Sequence, residues 1–338
     1  MDIAVLGITP VGCAVAGLLR RAGHDVTIVG PAHKAEIIAG AGITVRQSWD
    51  GSVINESVKA VETLDHAPEM LVIATRMQDT RAACAKAAPM VGDAVIAAVQ
   101  YGTKQEQQAE FELPRDNIVT CVLTLGATCY SPGDVTLNFK GHMVVGPAYA
   151  ASDEKVEKVL SVMSTAFLAS KARKIAHFNC TRLLLNLPYC VPAIMGENVQ
   201  VAFADPEISA VAVLLLKEGV KIIEDAGVHI EPLPDFDESS LKALVSAPLD
   251  EAALMFGLTV LTLSRNPCQG PILGSIEQGE PSEIDFQNGE LVKIAGVVGH
   301  EAPLNALMVE LVHTVEKSGK FLSKTELLRR VEEAMGEG

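Results

Sequence analysis

The chain is poor in cations. Its 27 lysines and arginines stand against 42 aspartates and glutamates, a net charge of -15 over 338 residues. That balance excludes nucleic acid and anionic membrane as main partners. An anionic small molecule must then be met by a few cations placed locally. No stretch reaches the roughly 18 apolar residues of a membrane span. No secretory leader is expected, because the short apolar run after Asp2 is needed as a strand. The seven cysteines (Cys13, Cys84, Cys121, Cys129, Cys180, Cys190 and Cys268) are odd in number and contain no C-x-x-C pair. They read as buried thiols of a cytoplasmic protein, with neither a disulfide frame nor a metal site. Internal repeats and low-complexity tracts are also lacking. The length allows a large core and favours two domains over one.

What is present is concentrated at the head of the chain. Asp2-Ile3-Ala4-Val5-Leu6 is a short apolar run suited to a buried parallel strand. A glycine turn follows, then a small-residue helix closing at Gly23, then the second run Val26-Thr27-Ile28-Val29. Strand, glycine turn, helix and strand on this schedule form a dinucleotide-binding opening. Its loop, Gly7, Ile8, Thr9, Pro10, Val11 and Gly12, is the expected pyrophosphate site. The fingerprint's middle glycine is missing. Thr9 stands there and can offer a hydroxyl and its own N–H, while Pro10 suits a first helical turn. Also missing is the acid that would hold the ribose of NAD at the end of the second strand. Gly30 and Pro31 occupy that place, with Lys34 and His33 close behind. The expectation is therefore NADP(H) rather than NAD(H), with Lys34 on the extra phosphate.

Buried runs recur at 70–75, 95–99, 118–123 and 143–146, with a helical segment at 80–88 and a Ser131-Pro132-Gly133-Asp134 turn. The carboxyl ends of parallel strands face the ligand crevice. Arg76, the Gln100-Tyr101-Gly102-Thr103 turn and Gly126-Ala127 are therefore site candidates. Beyond about residue 174 the spacing turns helical, at 211–223, 241–256, 291–298, 304–315 and 327–335. The predicted architecture is an α/β Rossmann-type doubly wound sheet over 1–174 and an all-α domain over 175–338.

This order of features resembles the ketopantoate reductase (2-dehydropantoate 2-reductase) family over nearly the whole chain. The resemblance rests on the glycine loop, the strand ending at Arg76, Gln100-Tyr101-Gly102 and Arg182-Leu183-Leu184-Leu185-Asn186. Its most specific part is Glu280-Pro281-Ser282-Glu283-Ile284-Asp285-Phe286-Gln287-Asn288-Gly289. Gly126-Ala127 and Pro132-Gly133-Asp134-Val135 also fit. The resemblance implies a site in the cleft between the two domains. It places Arg76, Gln100, Ala127 and Glu283 on the cofactor, and Asn186 and Asn198 on the substrate. Arg182 replaces the family's catalytic lysine, Arg76 another lysine, Tyr101 an asparagine and Pro271 a serine. A relative with a shifted substrate is expected rather than ketopantoate reductase itself, and a homodimer.

Reducing a 2-oxo acid needs a proton donor near the carbonyl oxygen and a cation for the carboxylate. Arginine stays charged, but its planar fork binds a carboxylate through two bonds. Arg182 is therefore a carboxylate clamp or a stabiliser of the developing alkoxide. The proton then comes from Tyr101, Glu283, His177 or water. The rival reading is a non-catalytic dinucleotide-binding regulator that has lost its lysine. A dehydrogenase of this fold with another substrate is the other alternative.

Overall fold

The computed structural model describes residues 1–100, 102–149, 151–233, 238–264 and 267–336. They divide into two compact units, Met1–Asn179 and Cys180–Gly338.

The first unit runs β1 (Asp2–Leu6), α1 (Pro10–Arg21), β2 (Asp25–Val29), α2 (Ala32–Ala41), β3 (Ile43–Gln47), β4 (Val53–Glu56), β5 (Lys59–Val61), β6 (Met70–Ile73) and α3 (Met77–Val91). It continues with β7 (Val95–Ala98), α4 (Gln105–Glu110), β8 (Ile118–Leu123), β9 (Gly126–Ser131), β10 (Asp134–Phe139), β11 (His142–Pro147), α5 (Asp153–Met163) and β12 (Leu168–Lys171). The main sheet has the order β12-β11-β8-β7-β6-β1-β2-β5. Its strands from β5 to β8 are parallel, and β11 turns back antiparallel on β8. Side-chain alternation feeds a separate core on each face. Ile3, Val5, Val26, Ile28, Met70 and Val72 join one cluster, and Ala4, Leu6, Val29, Leu71 and Ile73 another. Burial on both faces is why these runs are continuously apolar instead of alternating.

β1 has β2 on one side and β6 on the other. The carboxyl ends of β1 and β6 therefore form the switch point where a doubly wound sheet binds its ligand. The second sheet, β4-β3-β10-β9, was not expected from the runs above. Its Ile43, Val45, Val135 and Leu137 bury against Ala14, Ala16 and their neighbours in the core that α1 shares. Partly buried polar residues interrupt the buried apolar ones in β3 and β10, so these strands carry no continuous apolar run.

The second unit takes up α6 (Ile175–Asn186) at its Cys180 end and continues with α7 (Cys190–Met195), α8 (Val199–Phe203), α9 (Pro206–Asp225), α10 (Glu238–Ser246), α11 (Leu249–Leu263), α12 (Pro271–Glu277), α13 (Asn288–Val297), α14 (Pro303–Ser318) and α15 (Lys324–Gly336). No strand occurs among its described residues. Helix α9 begins with Asp205, whose carboxylate accepts from Glu207 N at 2.9 Å, and with Pro206 in the first turn. Its length divides two cores. Val211, Ala212 and Leu215 face one, and Val213, Leu216 and Val220 the other. The helix expected across 241–256 is instead two, because Pro248 bars helical geometry at Ala247 and starts α11. No described helix is long and apolar enough to cross a membrane.

Candidate active site

Gly7 leaves β1 with φ of 120°, and a Cβ there would lie 2.7 Å from the Ala74 carbonyl and Thr75 N. A Cβ on Gly12 would lie 1.9 Å from the Gly7 oxygen. Turn and helix are thus pressed together and against the end of β6, which only glycine permits at these two places. Thr9 occupies the N-cap of α1. Its Oγ1 accepts from Gly12 N at 3.0 Å and donates to Ala74 O at 2.7 Å. The hydroxyl expected to serve a ligand is therefore committed within the protein. Gly7 N goes to Val29 O and Cys13 N to Thr9 O, at 2.8 Å each. Among the described residues nothing accepts from the Thr9 and Val11 amides, and both point from a helix N-terminus that favours an anion.

Lys34 lies in the first turn of α2, half-buried and close enough for its charge to act on Cys13. His33 is exposed. At Gly30 a Cβ would lie 2.8 Å from Ile8 Cγ1, so no acidic side chain fits there. Arg76 stands at the N-cap of α3, its Nε bonded to Asp79 Oδ2 at 3.0 Å. Gln100 is buried just past β7. Its Nε2 donates to Thr75 O at 3.1 Å and Thr75 Oγ1 at 3.0 Å, and it also meets Thr80 Oγ1. Its amide nitrogen is thus a strut between the ends of β6 and β7. Its Oε1 is buried with no hydrogen-bond partner among the described residues. Ala127 is half-buried in β9, opposite Leu137 of β10. Tyr101 lies outside the described residues. His177 is half-buried in α6, on the Met1–Asn179 side.

In the second unit, Arg182 and Asn186 meet directly. Arg182 Nη1 donates to Asn186 Oδ1 at 2.6 Å, and Asn186 is buried. Four residues apart on one helix, they share a face. Glu283 is half-buried at the head of a single helical turn, Ile284–Phe286. Its neighbours are tied to α14. Ser282 N donates to Glu316 Oε1 at 2.8 Å, and His313 bridges Glu316 Oε2 at 2.9 Å and Asp285 Oδ1 at 3.1 Å. Those two carboxylates outweigh burial and raise the His313 pKa. The buried Asn288 donates to Leu187 O at 3.1 Å, so the 280–289 stretch is fastened to the chain just after Asn186. Asn198 is exposed at the N-cap of α8 and makes no side-chain cap bond. Pro271 opens α12.

One group had no signal in the sequence. Glu106 in α4 is 8% exposed, and burial first, then the charge of Glu110, pushes its carboxyl up to about 7. Its run, Gln105-Glu106-Gln107-Gln108, reads as a solvated face. Only the burial of Gln105, Glu106 and Ala109 together marks an inward side. Among the described residues no group of three His, Cys, Asp or Glu side chains could hold a metal ion.

Residues 3–149 match the family model for ketopantoate reductase PanE/ApbA, and residues 175–316 match that for its C-terminal part. The chain belongs to the ketopantoate reductase family. Its class is that of the NAD(P)-dependent oxidoreductases acting on a carbonyl or its alcohol. Among curated relatives, a 2-dehydropantoate 2-reductase of Pyrococcus horikoshii is 26% identical over 94% of this chain and 99% of its own. That of Pyrococcus abyssi is 24% identical over 92% and 97%. The fold is shared with solved structures. A PanE/ApbA family ketopantoate reductase from Ralstonia eutropha superposes with a TM-score of 0.74 at 20% identity, over 94% of this chain and 99% of its own. D-mandelate dehydrogenase, solved with NADH and anilino(oxo)acetate, gives 0.78 at 16% identity over the same shares.

Proposed function

We propose that the protein reduces a small 2-oxo acid with NADPH. The observation that carries this reading is the Arg182–Asn186 pair, standing where the family has its catalytic lysine and substrate asparagine. When bound, the nicotinamide cofactor supplies the hydride. The Thr9 and Val11 amides and the α1 N-terminus hold its pyrophosphate, with Ile8, Pro10 and the two glycines shaping the loop. Ile8 keeps an acid from Gly30, which supports NADP(H) over NAD(H), and Lys34 takes the extra phosphate. Arg76, Gln100 (through Oε1), Ala127 and Glu283 complete the cofactor's surroundings.

Arg182 binds the substrate carboxylate through its guanidinium fork, held in register by Asn186. Asn186 has its carbonyl occupied by Arg182, so its amide nitrogen faces the substrate as a donor. Asn198 is the second substrate asparagine. Because arginine keeps its proton, the carbonyl oxygen takes one from Tyr101 or Glu283. D-mandelate dehydrogenase, solved with anilino(oxo)acetate, has this fold with a 2-oxo carboxylate other than ketopantoate, which supports the substrate class and not one member of it. The same reading takes the protein as a cytoplasmic homodimer.

The test is NADPH oxidation followed at 340 nm with a panel of 2-oxo acids, ketopantoate among them. Turnover of at least one 2-oxo acid, lost in Arg182→Ala with NADPH binding retained, is the expected result. Silence across the panel in a protein that binds NADPH removes the catalytic reading. Tyr101→Phe and Glu283→Gln then divide the proton donors. The true donor loses about 100-fold in turnover.

A further inference from the structure

Two residues that bracket Glu283 are tied to α14 through one imidazole. Ser282 N donates to Glu316 Oε1 at 2.8 Å, and Glu316 Oε2 meets His313 Nδ1 at 2.9 Å. The other ring nitrogen, Nε2, meets Asp285 Oδ1 at 3.1 Å. Between these ties Ile284 is wholly buried in the helical core, and the Glu283 carbonyl accepts from Phe286 N at 2.9 Å. Ile284 thus sets the depth of the turn, while His313 and Glu316 set its rotation about that anchor. An ionised carboxylate only accepts hydrogen bonds. Both contacts therefore hold at once only when both ring nitrogens carry a proton, which makes His313 an imidazolium. The ring is nearly half exposed and lines an open hollow with Glu280, Pro281 and Lys317, so it exchanges protons with solvent. The charges around it offset one another. Glu280 and Lys317 are opposite in sign, and Lys293 of α13 donates to the Asp285 carbonyl at 3.3 Å. Glu310, one turn back on α14, is held by Arg330 of α15 at 2.8 Å. Glu218 of α9 caps the head of α14 at Leu304 N and Asn305 N, and α7 carries no charged residue. The two carboxylates on the ring therefore dominate. Burial alone lowers the ring's pKa, and Glu316 and Asp285 raise it on balance.

We propose that His313 is the positioning residue for Glu283, and that loss of one ring proton releases the turn and lowers turnover. The consequence for turnover rests on the role proposed above for Glu283. The charged ring donates to both carboxylates and closes a brace from Ser282 through Glu316 and His313 to Asp285. The neutral ring keeps one N–H, and its bare nitrogen then sets a lone pair against a carboxylate oxygen. One side of the brace must open. If it opens at Glu316, the acceptor of the Ser282 amide loses its support, on one side of Glu283. If it opens at Asp285, the turn comes free on the other side. The sign is definite. A raised folded pKa makes the brace's contribution fully present below the ordinary histidine value of 6.5, and it is lost as pH rises through the folded value. Turnover therefore steps down on the alkaline side.

The experiment compares the full-length protein with His313→Gln and His313→Arg at about pH 6 and about pH 9. Arginine keeps its charge at both pH values and has donors for two carboxylates. One readout is amide hydrogen exchange in peptides covering 280–288, corrected for its intrinsic pH dependence. The other is kcat/KM with a 2-oxo acid that the panel above shows to be turned over. In the unsubstituted protein the 280–288 amides should exchange about tenfold faster at the higher pH, and kcat/KM should fall about tenfold further than it does in His313→Arg. His313→Arg should exchange slowly at both pH values. His313→Gln should exchange fast at both, starting from a kcat/KM about tenfold lower and falling no further than His313→Arg. The proposal is overturned by corrected exchange that ignores pH in the unsubstituted protein. It is overturned equally by His313→Gln protein that keeps the full pH step, or by His313→Arg protein that behaves as His313→Gln does. Silence across the panel, or full turnover in Glu283→Gln, overturns the reading of Glu283 instead, and hydrogen exchange alone then decides the brace.

Discussion

Arg182 donates to the side-chain oxygen of Asn186 one turn further along α6, at 2.6 Å. The bond fixes an asparagine that could otherwise present either end of its amide. It also holds one arm of a guanidinium that would otherwise swing through several rotamers. Arg182→Lys keeps the charge and loses the fork. We expect Arg182→Ala to lower kcat/KM for the accepted 2-oxo acid by about 100-fold or more, with NADPH affinity unchanged. Asn186→Ala should raise KM more than it lowers kcat. If Arg182→Lys gains ketopantoate reduction, the pocket is that of the pantoate enzymes with one residue changed. Steady-state kinetics on the three variants decide this.

The pyrophosphate assignment needs a substitution gentler than any at Gly12, where even a methyl group meets the Gly7 oxygen. Pro10→Asp meets that need. Helix α1 has no acidic residue in its first turn, so an aspartate there favours the helix dipole while repelling a phosphate. Calorimetric titration should show NADPH binding weakened by about tenfold or more, near 1.4 kcal/mol, at an unchanged or raised melting temperature. Full affinity in that variant would place the phosphates elsewhere.

Lys34→Glu separates the two dinucleotides. The loss should fall on NADPH, by about tenfold, and leave NADH within a factor of about three. Tighter binding of NADH by the unsubstituted protein would contradict the preference argued from Gly30 and Ile8.

Much of the fold was legible because the parallel strands are buried on both faces, leaving runs such as Met70-Leu71-Val72-Ile73 with no polar interruption. The half-buried second sheet was not, since Ile43-Thr44-Val45-Arg46-Gln47 looks like many surface segments until α1 covers it. At the candidate site, the glycine loop and the Arg182–Asn186 spacing were local patterns and could be read directly. Commitments made by long-range hydrogen bonds were invisible. Thr9 to Ala74, Gln100 to Thr75 and Asn288 to Leu187 each join residues far apart in sequence.

Glu106 sets a pH dependence with a definite sign. Burial raises its carboxyl from an ordinary 4.5 to about 7, so the folded protein binds that proton more tightly than the unfolded chain. Its contribution to stability is therefore fully present below about pH 4.5 and is lost as pH rises toward 7. Above that the buried carboxylate costs up to about 3 kcal/mol. Glu106→Gln should remove this slope. Urea melts at pH 8 should show the variant more stable than the unsubstituted protein, with the gap closing by pH 5. A constant gap at both pH values would mean that Glu106 ionises normally.

The two bonds of the Thr9 hydroxyl have a kinetic meaning beyond the missing glycine. They join the turn after β1 to the carbonyl that ends β6, so both lips of the switch point are fastened before any ligand arrives. A loop already fastened has little motion left to lose on binding. The amide of Gly12 should accordingly exchange its hydrogen slowly in ligand-free protein, and saturating NADPH should slow it only slightly. Thr9→Gly, which restores the usual fingerprint, should make that amide exchange fast when free. The variant should then recover protection only as cofactor binds, turning a standing loop into one assembled anew at each encounter.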